Sequence, residues 1–410
     1  MKLRRSLCIA RMADSHHFIL PIDGLINNGD LILNDSSAIR TMSLAGILGT
    51  GYSIGIEAIK SYPYRPYLLK MHELCFCMLG NLDNECAADG GIARFSDLNM
   101  LFQEYMFVNY GVSDGKQTRI HSVPCNDMDV IIVGDDKTKD FKVGISNVCQ
   151  PSPDIFDRAV GNEDGRTSGK LEMTKRIFNH AIRDGAEILV MPECYLPSEW
   201  LPFCIRTCMK NGMMLITGLE YIKQGENVYN ITVTAMPFED EYGHKDAVVS
   251  FHIKRHYAPS EERAFSSAGM KCIEGKNNQL YIWNGLRFTT FCCFEMADID
   301  YRAKYRSRIH ALFAVESNKD VNYFDNIVGA TSRDLHCYVI QVNNAAFGDN
   351  RITAPCKKEE MNLVRISGGD NPAVIIGTMK IPDLIKFRRL EEGKDNFKPK
   401  PPGFSIEIAE

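Results

Sequence analysis

Two adjacent cysteines, Cys292 and Cys293, close the apolar run that begins at Phe288 and are followed by Phe294 and Glu295. A thiol attacks as thiolate, so a nucleophilic cysteine requires a base to take its proton and positive charge to hold the anion. Two upstream stretches offer both. Ile188-Leu-Val-Met-Pro-Glu193 ends on a carboxylate, and His252-Ile-Lys254-Arg-His256 supplies an ammonium, with Glu261 and Glu262 shortly after it. Each group stands at the end of a β-rich apolar run, where a parallel or mixed sheet delivers distant parts of the chain to one rim. The chemistry this set could perform is attack of sulfur on an electrophilic carbon, with Glu193 as general base and Lys254 as the stabilising cation. Successive side chains alternate along a strand, so Cys292 is expected to face away from Cys293 and join the core.

The elements that must position these groups follow from periodicity. A strand is expected at Lys142 to Val148, then a helical stripe of Leu171, Thr174, Ile177, Phe178, Ala181 and Ile182 with Gly185 as its stop, then a strand from Glu187 to Met191. Met213 to Thr217, Tyr229 to Met236, Ala247 to Ile253 and Leu280 to Cys293 read as further strands; His310 to Glu316 and Tyr338 to Asn343 do too, separated by a helix over Asp320 to His336. Periodicity alone gives an α/β fold with hairpins. Tyr195, Phe294, Glu295, Ser317 and Asn318 follow strands and are expected to line a substrate pocket by position.

The chain resembles the nitrilase, or carbon-nitrogen hydrolase, superfamily. The resemblance rests on Pro192-Glu193 after an apolar strand, on the Lys-x-His pattern of Lys254 and His256 with Glu262 eight residues beyond the lysine, and on Cys293-Phe294-Glu295. Gly348-Asp-Asn-Arg-Ile352-Thr-Ala-Pro355 echoes a further family pattern, with Asn350 where serine is usual, and Met296-Ala-Asp298 replaces the family's usual turn after the nucleophile. The resemblance covers roughly residues 140 to 380. It implies an α-β-β-α sandwich with Glu193, Lys254, Glu262 and Cys293 as catalytic residues, and no metal or cofactor. Glu261 competes with Glu262 for the second carboxylate, and the spacing favours Glu262. The expected reaction is hydrolysis of a non-peptide C–N bond in an amide, carbamoyl compound or nitrile through an acyl-thioester. N-acyl transfer and a binding or scaffolding module are the alternatives. The resemblance also implies a homo-oligomer, and such domains can accompany other enzymes, including reverse transcriptases.

Length and composition bound the rest. At 410 residues with 45% hydrophobic and 24% charged residues, the chain is that of an ordinary globular protein, and a net charge of −5 gives no direct signal for nucleic acid. Residues 1–125 read as a mainly helical extension, with helical patterns at Ala38 to Leu48, Leu68 to Leu79 and Phe95 to Tyr110; residues 126–410 read as the hydrolase-like domain with a C-terminal arm. Polar, turn-rich stretches at Gly115 to Pro124 and Gly134 to Asp140 mark the boundary. Lys380 to Pro402 reads as a solvated helix and a Pro-rich arm, with a subunit-docking arm as the other reading. The basic start of the chain lacks the apolar core of a signal peptide, and no stretch is a membrane span, so a cytoplasmic location is expected. Fourteen cysteines without a compact framework suggest free thiols in a reducing compartment. His252 and His256 with the cysteines could suggest a Cys-His protease or metal site, but no second His- or Cys-rich segment completes a tetrahedral set.

Overall fold

A computed structural model describes residues 16–19, 119–125, 128–150, 152–161, 167–224, 226–239, 243, 245–357, 360–390 and 397–405. The first half of the chain forms β1 (His16–Ile19), β2 (Arg119–Cys125), β3 (Met128–Gly134), β4 (Phe141–Asn147), α1 (Ser152–Gly161), α2 (Ser168–Arg183), β5 (Ile188–Val190), α3 (Leu201–Asn211), β6 (Met214–Gly218), β7 (Ile222–Gln224), β8 (Asn227–Tyr229) and β9 (Ile231–Glu239). The second half forms β10 (Lys245–Ile253), α4 (Pro259–Ser267), β11 (Lys271–Cys272), β12 (Gln279–Trp283), β13 (Leu286–Cys292), α5 (Ile299–Ala303), β14 (Ala311–Val315), α6 (Val321–Asp334), β15 (Tyr338–Val342), β16 (Asn350–Thr353), β17 (Asn362–Ile366), β18 (Ala373–Met379) and α7 (Ile381–Leu390).

Two large sheets carry the fold. One runs β1-β10-β9-β6-β5-β4-β18 and the other β17-β16-β15-β14-β13-β12-β3-β2. Strands β4, β5 and β6 are parallel, as are β13, β14 and β15, and these buried central strands are short apolar runs rich in Val, Ile, Leu and Phe. Alternation divides their side chains between two cores. In β5, Ile188 and Val190 face the other sheet while Leu189 faces the helices. The inter-sheet core includes Val143, Ile188 and Met214 from one sheet and Phe288, Phe313 and Ile340 from the other. Ile177 and Phe178 of α2 with Cys204 and Ile205 of α3 cover the outer face of the first sheet, and Phe324 and Val328 of α6 with Tyr301 and Tyr305 cover the second. The layers are therefore α-β-β-α.

Several expectations change. The stretch Leu280 to Cys293 is a hairpin of two antiparallel strands, because Asn284 (φ 46°) and Gly285 (φ 76°) both take the left-handed conformations of a tight two-residue turn. Arg119–Cys125 is a strand paired antiparallel with β3, so the polar stretch expected to mark a boundary instead contributes an edge strand, where Pro124 is tolerated. The helical patterns at 38–48, 68–79 and 95–110 lie outside the described residues. Among the described residues no helix is long and apolar enough to cross a membrane. Nine cysteines among the described residues, Cys292 and Cys293 included, are free.

The helix at the C-terminal end is not solvated. Its Ile381, Leu384 and Phe387 join the inter-sheet core together with Phe397, and Arg388 is buried, donating from Nη2 to the Ile309 carbonyl at 2.9 Å and to the His336 carbonyl. The charge run at 380–402 hid three apolar residues at helical spacing. Leu384→Ala is expected to destabilise the protein by about 2–5 kcal/mol, against less than about 0.5 kcal/mol for a surface helix; urea melts distinguish the two.

Candidate active site

The C-terminal ends of β5 and β10 and the N-terminal end of β9 meet on one edge of the first sheet, since β9 runs antiparallel to both β6 and β10. Past the ends of these strands come Glu193, Lys254 and, just before β9, Asn230. Gly218 fixes the Glu193 loop: its N–H donates to the Pro192 carbonyl, and its own carbonyl accepts from Tyr195 and Leu196. A Cβ on Gly218 would come within 2.5 Å of the Glu193 Cα, so only glycine lets the two backbones approach. Lys254 N–H donates to the Asn230 carbonyl at 2.8 Å and its carbonyl accepts from Gly275 at 3.0 Å.

The side chains form a buried cluster. Lys254 Nζ donates to Glu193 Oε1 at 2.8 Å and to Glu261 Oε2 at 2.6 Å. Asn230 Nδ2 donates to Glu193 Oε1 at 2.8 Å and to Glu261 Oε1 at 3.3 Å. Tyr221 Oη donates to Glu261 Oε1 at 2.6 Å, and the Ala258 N–H to its Oε2 at 2.9 Å. Burial alone would raise the Glu261 carboxyl, but Lys254 and these donors hold it below the usual carboxylate range. Burial alone would likewise lower Lys254, yet Glu193 and Glu261 outweigh it and push the ammonium well above its ordinary value. Lys254 is thus a fixed cation, with two N–H bonds spent and a third available.

This arrangement corrects the second carboxylate. Glu262 is exposed, and Glu261 holds Lys254. The cause lies in α4: Pro259 occupies its first turn, which makes Glu261 the third helical residue, and a glutamate there reaches back to the N–H of the residue before the helix. Neighbouring residues on a helix point about 100° apart, so Glu262 turns to solvent.

The two cysteines also differ from expectation. Both are buried, and Cys292 Sγ lies 3.2 Å from Glu193 Oε1 and 3.6 Å from Asn230 Oδ1, so it borders the cluster as well as the inter-sheet core. Alternation fails here because β13 ends at Cys292, and Cys293 takes a left-handed conformation (φ 48°) at the start of the 3-10 turn Cys293–Ala297. Cys292 is 0% exposed and Cys293 8%. Burial, then the Glu193 charge, pushes both thiols well above their ordinary value, with Lys254 pulling the other way.

Glu295 is fully buried and accepts from His252 Nε2, from the Arg255 N–H and from the Cys292 N–H at 2.6 Å. Burial would raise it, but these partners keep it below the usual carboxylate range. It braces the cysteine turn and has no oxygen left for a substrate. Tyr195 is also not a lining residue: its hydroxyl meets Thr174 at 3.2 Å in the core under α2. Asn318 spends its side chain on the turn into α6, and its backbone is held by Asn343. Phe294 and Ser317 are half-buried at the rim. Asn350, in the Gly348–Pro355 stretch, bonds the Asn343 N–H and Asn147, tying the loop after β15 to the end of β4. His252 and His256 are committed to Glu295 and Asp298 respectively. Among the described residues no group of three or more His, Cys, Asp and Glu is placed to hold a metal ion.

Sequence reasoning missed Asn230, Tyr221 and Glu316. Asn230 carried a signal in the short break between two apolar strands; Tyr221 carried none. Glu316, which follows β14, is fully buried, and Gln341 Nε2 donates to its Oε2 at 2.8 Å.

Some solved structures are similar to this chain. A CN-hydrolase superfamily protein from Xanthomonas campestris, with an arsenic adduct in its active site, shares 12% identity over 62% of this chain and 96% of its own, with a TM-score of 0.46. An amidase from Nesterenkonia sp. shares 14% identity over 61% of this chain and 94% of its own, with a TM-score of 0.43. A variant of the Nesterenkonia sp. AN1 amidase, showing covalent addition of the acetamide moiety of fluoroacetamide at its active-site cysteine, has 14% identity and a TM-score of 0.42 over 61% of this chain and 94% of its own. No family model and no curated protein matches the sequence.

Two predictions follow from the charges. Glu261→Gln removes one partner of a buried ion pair and is expected to cost about 3–5 kcal/mol, whereas Glu262→Gln changes stability by less than about 0.5 kcal/mol; urea melts of both variants check this. Burial pushes the Glu316 carboxyl from its usual 4.5 up to about 8, with Gln341 and Arg351 opposing and Glu193 and Asp349 adding to the rise. A raised folded pKa means the protonated group favours the native state, so its contribution is full at acid pH and lost as pH climbs through that range. Glu316→Gln should therefore gain at least about 1 kcal/mol on the wild type between pH 5 and pH 8.5 in paired urea melts; an unchanged difference would show that Glu316 ionises normally.

Proposed function

We propose that this protein is a cysteine-dependent hydrolase of non-peptide C–N bonds, with Cys293 as nucleophile, Glu193 as general base and acid, and Lys254 as the cation that stabilises the developing oxyanion. The observation that carries this reading is the Glu193–Lys254–Glu261 cluster standing against a cysteine turn, with Cys292 Sγ 3.2 Å from the Glu193 carboxylate and Cys293 the next residue, at the start of that turn. Cys293 is assigned over Cys292 because a substrate must reach the sulfur: Cys292 is sealed in the core, while Cys293 stands on the left-handed strand-to-helix turn and keeps slight exposure. Backbone strain of this kind, persisting in a well-braced turn, points to function.

The reaction follows from which atoms are occupied. Glu193 Oε1 takes Lys254, Asn230 and Cys292, while Oε2 has no hydrogen-bond partner among the described residues. Because the thiol pKa is raised, the proton leaves Cys293 as sulfur attacks, passing to Glu193 while the C–S bond forms. For an amide, the carbonyl oxygen becomes an oxyanion that the third N–H of Lys254 and the Phe294 N–H receive. One such donor is commonly worth about 3–4 kcal/mol in the transition state. Protonated Glu193 then hands its proton to the departing nitrogen, the C–N bond breaks, and an acyl-thioester remains on Cys293. Water, losing a proton to Glu193, adds to the thioester; the acid leaves and the sulfur regains a proton. Glu261 stays ionised throughout and holds Lys254.

Ammonia release from a panel of linear amides, carbamoyl compounds and nitriles tests the reading. Cys293→Ala is expected to abolish release with the protein still folded, and Glu193→Gln to lower it by about 10²–10⁴. Cys292→Ala, which removes only one hydrogen bond to Glu193, should lower it by less than about tenfold. Turnover retained in Cys293→Ala and lost in Cys292→Ala would reverse the assignment of the two sulfurs, and turnover retained in both would end it.

A further inference from the structure

Glu316 is a carboxyl that the mechanism above leaves unused. Val315, the last residue of β14, is paired with Cys292 on the neighbouring parallel strand, so the residues that follow, Glu316 and Cys293, leave adjacent strand ends side by side. The Glu316 backbone is pinned on both sides, its N–H donating to the Val342 carbonyl at 2.8 Å and its carbonyl accepting from Asn344 at 3.0 Å. Gln341 Oε1 accepts from Arg351 Nε at 2.8 Å, which fixes that amide so that it offers Glu316 an N–H and nothing else. Arg351 donates to Gln341 and pairs with Asp325 and Asp349, and reaches Glu316 through its charge alone. Glu316 Oε1 is left buried with no hydrogen-bond partner.

An open acceptor in so dry a place is costly, and native proteins rarely retain one without a reason. Charge bookkeeping at the rim gives the reason a sign. Glu193 and Glu261 share one cation, Lys254, while Arg351, which draws the Glu316 carboxyl against the repulsion from Glu193, is itself matched by Asp325 and Asp349. The site lacks a positive charge, and a ligand cation would supply it.

Resting on the hydrolase reading, we propose that Glu316 Oε1 receives a protonated amine of the substrate, remote from the C–N bond that breaks, so that the enzyme selects basic amides over neutral ones of equal length. A cation there gives the unpartnered oxygen a donor and lets the buried carboxyl give up its proton. A neutral alkyl group in the same place would do neither, and a carboxylate would be repelled by Glu193.

The test compares a short series of ω-amino amides with alkyl amides of matched length, in turnover by the wild type and in calorimetric binding to Cys293→Ala, each with and without Glu316→Gln. The amino amides are expected to be preferred, and Glu316→Gln to lower the ratio of kcat/KM, amino over alkyl, by about tenfold to a hundredfold, the usual worth of a hydrogen bond to a charged group; binding to Cys293→Ala should weaken by a similar factor. Glu316→Asp should recover part of the preference, which a merely structural role would not produce, and thermal melts confirm that each variant folds. A ratio and a binding constant unmoved by Glu316→Gln, no preference for amino amides, or no binding of either series would overturn the proposal. If no amide is turned over by the wild type while amino amides still bind in a Glu316-dependent way, the hydrolase reading fails and the cation site stands.

Discussion

One ammonium shared between two carboxylates is the interaction around which the rest of this structure is arranged. Lys254 is 0% exposed, and its charge has left water along with those of Glu193 and Glu261. Desolvation of this kind costs several kcal/mol per ion and is offset only when geometry is tight and the remaining lone pairs are satisfied. The surroundings meet that condition piece by piece. Asn230 reaches both carboxylates from the start of β9, Tyr221 and the Ala258 N–H complete Glu261, and the backbone of Lys254 is held by Asn230 on one side and Gly275 on the other. Two glycines permit the close approach. A Cβ at Gly275 would lie 2.1 Å from the Ile253 carbonyl, and one at Gly218 would displace the Glu193 backbone.

The same accounting separates groups that can react from groups that can only hold. Glu261 has four donors on its two oxygens, and Glu295 has the His252 ring and two backbone N–H groups. Neither has a lone pair to spare for a proton in flight. Glu193 is different, since its partners converge on Oε1. Glu295 positions the reactive turn from below: by accepting the Cys292 N–H at 2.6 Å, it fixes the residue on which the left-handed Cys293 is mounted.

Much of this was legible in the sequence, and the failures have local causes. The strands that lead to Glu193, Lys254 and Cys293 are apolar runs whose period identifies them, and the residue past each run marks the rim. Spacing from Lys254 favours Glu262, but the helix start at Pro259 decides which of the two adjacent glutamates turns inward, and it turns Glu261. Asn284-Gly285 is a strong hairpin signal that the apolar residues on either side obscure. The burial of α7 was masked by Lys386, Arg388 and Arg389, whose charges drew attention from Ile381, Leu384 and Phe387. Glu316 has no signal in the sequence, because its setting depends on Gln341 of β15 and Arg351 of β16, and no short-range pattern encodes lateral contacts across a sheet.

The charge balance also bears on the resting state of Cys293, the proposed nucleophile. A thiolate stored as an ion pair requires a cation with positive charge to spare, as when a protonated imidazole or a helix N-terminus faces the sulfur. Here the nearby ammonium is already matched by two carboxylates, and the net charge around Cys293 is negative, so a thiolate would be repelled as well as desolvated. On the proposed mechanism the sulfur therefore keeps its proton until an electrophile arrives, and proton transfer to Glu193 and C–S bond formation are one event. Such a site stays chemically quiet when empty and gains nucleophilicity only when a bound carbonyl or nitrile begins to draw electrons from the sulfur. The carboxylate excess that disfavours a stored thiolate is also the basis on which a cationic ligand is proposed for the rim.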